Sequence, residues 1–176
     1  MEYSLKRLRQ SDGSWAALTE NWTRQCDETG DSFEFYAGDS LPVIEKYAKE
    51  EDGGSGLQRS WAVALYDDQS RPLVAALAHW HTAPGVEGHV LKIRQVTVCP
   101  LLDFGALSEE TYADVLVALT WRVYRLSQDE MEATEIRFHL RSPADFVYFA
   151  AFGKNLDGSR VFQSVKHRGA WLHIVK

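Results

Sequence analysis

Residues 58–98 constrain this chain most, because three strand patterns follow one another there with only short turns between them. SWAVALYD alternates and is aromatic or β-branched at several points, and PLVAALAHWHT and HVLKIRQVTVCP follow it, set apart by the turn signals DQSRP and APGVEG. Consecutive runs joined this tightly read as an antiparallel meander. The longest helical pattern in the chain comes next. In SEETYADVLVALTWRVYRLSQ, Tyr112, Val115, Leu116, Leu119, Val123 and Leu126 recur at helical spacing, and Val117, Trp121 and Tyr124 widen the apolar surface beyond one face.

Ahead of the meander, Tyr3 and Leu5 alternate with charged neighbours, as in a short strand. SDGSWAALTENWTRQCDETG reads as a helix with Trp15, Leu18, Trp22 and Cys26 on one face and Gly30 as its stop. DSLPVIEKYAKEEDGGSG reads as a second helix, with Ser40 as cap, Pro42 in the first turn, and Val43, Ile44 and Tyr47 as its stripe. The GGSG that ends it lacks a following Lys–Ser/Thr pair, so it is a linker and not a nucleotide loop. After the long helix, TEIRFHLRS is a strand with Ile136, Phe138 and Leu140 on one side. PADFVYFAAFGKNL is a short helix between Pro143 and Gly153, and RVFQSVKHRGAWLHIVK is a strand pair around His167–Gly169.

Composition narrows the function classes. The chain has 176 residues, 45% of them hydrophobic, which fits one domain with a real core. A net charge of −6 argues against non-specific nucleic-acid binding. Two widely separated cysteines, Cys26 and Cys99, do not make a disulfide framework. There is no signal-peptide pattern and no run long enough to cross a membrane, so a cytoplasmic location is expected, with no membrane or nucleic-acid partner.

Several places carry candidate chemistry. In VTVCPLLDFGALSEET an apolar strand ends, a short loop follows, and Ser108 caps the long helix; strand, loop and helix N-terminus is an arrangement that holds phosphates. The loop carries no Lys or Arg, however, and Asp103, Glu109 and Glu110 are nearby, the two glutamates suiting the first turn of the helix. His79 and His81 flank Trp80 on one strand, so both imidazoles share a face and either could take a proton from an amine. Glu87, in the next turn, is a weaker candidate base. A zinc pair is the less favoured reading, because His-x-His alone supplies two ligands and no obvious third. Cys99 reads as a buried, inert thiol. Trp15, Trp22, Tyr36 and Trp61 could line a pocket, although core packing is the commoner use. No G-x-S-x-G, H-E-x-x-H or G-x-G-x-x-G motif is present.

The order strand, helix, helix, three strands, helix, strand, helix, strand, strand resembles the GNAT superfamily of acyl-CoA-dependent N-acyltransferases over nearly the whole chain. The best local match is ADFVYFAAFGK, where Ala144 and Tyr148 have the family's spacing and Gly153 comes about one position late. The resemblance implies a single α+β domain over residues 1–176, an α/β/α sandwich with a mixed, mostly antiparallel sheet of about seven strands and helices on both faces. It implies that KIRQVTV and TEIRFHL, the fourth and fifth strands, splay apart to admit the pantetheine arm of acetyl-CoA or another acyl-CoA. Val96, Thr97, Val98, Gly105 and Ala106 would then contact the cofactor. LLDFGA stands where the family has a basic or Gln residue, two others, Gly, any residue, and Gly or Ala; Gly105 matches, and Leu102 replaces the basic or Gln residue. Tyr148 would protonate the leaving thiolate, with His79 or His81 as base and a small-molecule or peptide amine as acceptor. A homodimer is a further expectation from the resemblance. The alternative is a non-catalytic module of the same shape, used for binding or assembly, whose CoA site has decayed.

Overall fold

The computed structural model describes residues 2–38, 40–50, 58–105, 108–140 and 161–176. Among these, seven strands form one sheet in the order β1-β2-β3-β4-β5-β7-β6. They are β1 (Ser4–Arg7), β2 (Gln58–Tyr66), β3 (Pro72–Thr82), β4 (His89–Val98), β5 (Glu135–His139), β6 (Ser164–Arg168) and β7 (Trp171–Val175). All neighbours pair antiparallel except β4 and β5, which run parallel. The helices are α1 (Ser14–Thr29), α2 (Phe33–Ala37), α3 (Ser40–Lys49), α4 (Pro100–Asp103) and α5 (Glu109–Leu126). This is the mixed, mostly antiparallel α+β sheet expected from the order of elements. The expected helix at PADFVYFAAFGKNL, with Ala144, Tyr148 and Gly153, lies outside the described residues.

The long elements form where the patterning demands. Trp15, Leu18, Trp22 and Cys26 are the buried stripe of α1, and Gly30 closes it in the left-handed region at φ 76°, which costs glycine nothing. The Trp22 indole N–H donates to the Pro72 carbonyl at 2.8 Å, fastening α1 to the start of β3. The Ser108 hydroxyl accepts from the Thr111 N–H, as a helix cap should. Seven successive residues of β3, Pro72 to Ala78, are buried. Side chains alternate between faces, so such a run needs cover on both sides of the sheet. The helices supply it, α3 lying against β2, β3 and β4 and α5 against β1 and β3.

Two short helices were not evident from sequence. At five and four residues, α2 and α4 are too brief to show a helical period. Among the described residues, no helix is long and apolar enough to cross a membrane.

Candidate functional site

The parallel ladder between β4 and β5 is short. It runs from Val90 opposite Glu135 to Ile93 opposite Phe138 and then stops. On the other side β4 stays paired with β3, but its register shifts: Leu77 faces Arg94, Ala75 faces Thr97, and Gln95 and Val96 together oppose Ala76. This is a β-bulge, which bends and twists the strand that carries it. Gln95 sits at φ 52°, a conformation that costs a non-glycine residue about 1–3 kcal/mol. Past Ile93, therefore, β4 bends away from β5, and among the described residues no strand pairs with it on that side.

A cleft of about 500 Å³ opens along this stretch, lined by Val96, Thr97 and Val98 of β4 together with Tyr36, Asp103 and Tyr112. The Tyr36 hydroxyl donates to the Val98 carbonyl, and its ring meets Phe104 edge-on at 5.4 Å and Trp22 at 6.2 Å. Burial and then the neighbouring Asp103 push the Tyr36 phenol well above its ordinary range, so it stays a donor. Asp31 also lines the cleft, giving this end an acidic wall.

The loop after β4 is closed on itself. The Leu102 and Asp103 N–H groups donate to the Cys99 carbonyl at 3.0 and 3.1 Å, Phe104 to Pro100 at 2.9 Å, and Gly105 to Leu102 at 3.4 Å. The Leu101 N–H donates to the Gln25 side chain at 3.2 Å. Every amide from Leu101 to Gly105 is thus engaged. A pyrophosphate arriving at this turn would meet the Asp103 carboxylate instead of open donors, so residues 101–105, as folded, do not fit that group. Gly105 has the positive φ of 72° that glycine permits. Ala106 lies outside the described residues.

His79 and His81 do share a face, with ring centroids 5.2 Å apart, but they stand toward the far end of β3 from the bulge. His79 is fully engaged: Nδ1 meets Ser60 Oγ at 2.5 Å and Nε2 meets the Gln58 side chain at 3.2 Å. His81 Nδ1 donates to the Thr82 carbonyl at 2.6 Å, while Nε2 is buried with no partner. Burial lowers the pKa of both rings, and the cations Lys92 and Arg94 (for His79) and Lys92 and Arg137 (for His81) add to the effect. The structure thus brings Val96, Thr97 and Val98 together in the cleft wall and leaves His79 and His81 outside it. Of the aromatic candidates, Tyr36 reaches the cleft, Trp15 and Trp22 are core residues, and Trp61 packs under the Arg7 guanidinium. Cys99 is buried, and burial pushes its thiol up to about 11. Among the described residues, no group of three or more His, Cys, Asp or Glu could hold a metal.

Sequence reading missed the polar side of the sheet. Cross-strand partners point to one face, and pairing puts Ser60, His79, Lys92, Arg137, His173 and Lys166 in one row across β2, β3, β4, β5, β7 and β6. Glu135, one row away, receives Arg137 at 2.9 and 3.0 Å and His173 at 2.6 Å. Burial would raise its carboxyl, but these hydrogen bonds and charges hold it below the usual range. No local signal could have revealed the row, because register is not written in any single strand.

The chain is similar to a number of solved structures, three of which are as follows. A proposed acetyltransferase from Exiguobacterium sp. 255-15 is 14% identical, with 100% of this chain and 94% of that one covered at a TM-score of 0.48. Glucosamine-6-phosphate N-acetyltransferase from Arabidopsis thaliana is 10% identical, with 87% and 91% covered at 0.45. A GNAT-family acetyltransferase from Staphylococcus aureus Mu50 is 10% identical, with 99% and 100% covered at 0.44. No protein-family model and no curated protein matches the chain.

Proposed function

We propose that this chain is an acyltransferase-like protein that moves an acyl group from a CoA thioester to an amine. The observation that carries this is the β4–β5 gap: the parallel ladder ends at Ile93 and a bulge turns the rest of β4 into one wall of a cleft. A bound acyl-CoA would supply the activated carbonyl. Backbone N–H groups of β4 beyond the end of the described ladder with β5 are suited to hold that carbonyl's oxygen, where negative charge develops as the amine attacks. Asp31 and Asp103, on the cleft wall, would draw a cationic amine toward the gap. The amine must shed a proton before it attacks. Of the two candidate bases, His81 has an uncommitted Nε2 and His79 has none, so any role of His81 requires the acceptor or water to reach that buried nitrogen. Tyr148 is the proposed acid for the departing thiolate.

The closed 101–105 turn is the obstacle. For pyrophosphate to gather amides there, the turn must open, and its carbonyl bonds must be given up. Calorimetric titration with acetyl-CoA tests the reading. Saturable binding at micromolar affinity supports it, together with release of free thiol when amines are added. No heat at millimolar acetyl-CoA would sink it and leave the cleft as a binding module only.

A further inference from the structure

The chain is acidic overall, at −6, yet the sheet face beside the gap is cationic. Lys92 and Arg137 sit opposite each other in the last part of the β4–β5 ladder. Arg94 follows on the same face of β4, exposed, just past the end of the ladder with β5. On the strand positions of this face, Glu135 is the only acid among the described residues, and it is already committed to Arg137 and His173. Lys92 lies over the Trp171 ring at 5.8 Å, and among the described residues neither Lys92 nor Arg94 has a carboxylate partner. Desolvation and then Arg137 and Arg94 lower the Lys92 pKa, outweighing the opposite pull of Glu135. Lys92 and Arg137 are half-buried and Arg94 is exposed, so cations outnumber the one acid on this face and an added counter-charge would be favoured.

The cluster lies N-terminal to the bulge on β4, whereas the loop of residues 99–105 lies C-terminal to it. A ligand in the gap would therefore meet acids, Asp31 and Asp103, on one side of the bulge and cations on the other. From Val96 back to Arg94 and Lys92 is two to four residues, roughly 7–13 Å along a strand. That is the reach of a small difunctional molecule.

We propose that the acceptor is an amine that also carries an anionic group, a carboxylate or a phosphate, held by Lys92, Arg94 and Arg137 at the closed end of the β4–β5 gap. Calling the ligand an acceptor rests on the acyl-transfer reading; the anion preference does not, and it is measured without acetyl-CoA. The test titrates 6-aminohexanoate, O-phosphoethanolamine and, as controls without an anion, hexylamine and ethanolamine, by calorimetry into the whole chain and into the Lys92→Gln/Arg94→Gln double variant. The expected result is that at least one anionic probe binds about tenfold or more tightly than its control, equivalent to about 1.4 kcal/mol, and that the double variant loses the preference while keeping its thermal midpoint. Which anionic probe wins separates carboxylate from phosphate. Equal binding of probes and controls, or a preference that survives in the double variant, overturns the proposal. A third arm titrates acetyl-CoA into protein saturated with the winning probe: unchanged affinity supports the assignment, and mutual exclusion would put a CoA phosphate on the cations and overturn it. If acetyl-CoA never binds while the anionic probe does, the acyl-transfer reading fails and the anion site stands.

Discussion

The two halves of β4 are one continuous strand with opposite surroundings. From Val90 to Ile93 it has a strand on each side, and Val90, Leu91 and Ile93 are fully buried. From Arg94 to Val98 it pairs, among the described residues, with β3 alone, passes through a residue in the left-handed region, and faces a cleft. The first half belongs to the core of the sheet. The second gives up a ladder of hydrogen bonds and takes on backbone strain, and what it gains is an accessible edge. Sites are commonly built this way, at the border between an over-determined region and one that it holds in place.

The sharpest way to break this contrast is to truncate both halves alike. Ile93→Ala should cost about 4 kcal/mol, a cavity in a fully buried ladder position, whereas Val96→Ala should cost less than about 1 kcal/mol; urea unfolding of the two variants makes the comparison, and equal losses would erase the distinction. Glu135→Gln comes next. It strips the cationic face of its acid and leaves Arg137 and His173 without their partner, for a loss of about 3 kcal/mol. The wild-type carboxyl is held below its unfolded value, so its stabilisation is complete above about pH 4.3 and is lost as pH falls through the folded value; the variant should lack that acid-side decline. Smaller is the bulge itself. Gln95→Val puts a β-branched residue at a positive φ and should cost about 1–2 kcal/mol, while Gln95→Gly should stay within about 1 kcal/mol of wild type. If Val is tolerated as well as Gly, the strain at Gln95 is not what shapes the gap. Smallest is a pH effect on the closed half. His79 and His81 resist protonation when folded, so unfolded chains take up protons first, from about pH 6.5 downward. The thermal midpoint should therefore decline between pH 7 and pH 5, and a His79→Asn/His81→Asn variant should flatten that part of the profile.

Much of the sheet was legible because its strands are long, apolar and sharply bounded. PLVAALAHWHT corresponds to β3 from Pro72 to Thr82, and Ser108 caps α5. The hairpin of β6 and β7 turns at residues 169–170, just past His167. The bulge was hidden because Gln95 carries no glycine signal; its conformation comes from the sheet around it. Asp103 was read as part of a loop, and the four-residue α4 that consumes the loop's amides was too short to see. The cationic row was out of reach for another reason: Lys92 and Arg137 are far apart in sequence, and only pairing of β4 with β5 makes them neighbours.

Tyr36 carries a consequence for dynamics. α2 has five residues, fewer than a helix needs to persist alone in water, and its Phe33, Tyr36 and Ala37 are only half-buried against the core. Its tie to the sheet includes a single phenol reaching the Val98 carbonyl, with Trp22 and Phe104 against the ring. Among the described helices, sub-global opening should therefore begin here, because the segment has little fully buried surface to lose. Amides of α2 would then exchange with solvent long before those of β3, and Tyr36→Phe would hasten exchange in α2 alone. The outer wall of the cleft can breathe while the sheet behind it stays intact.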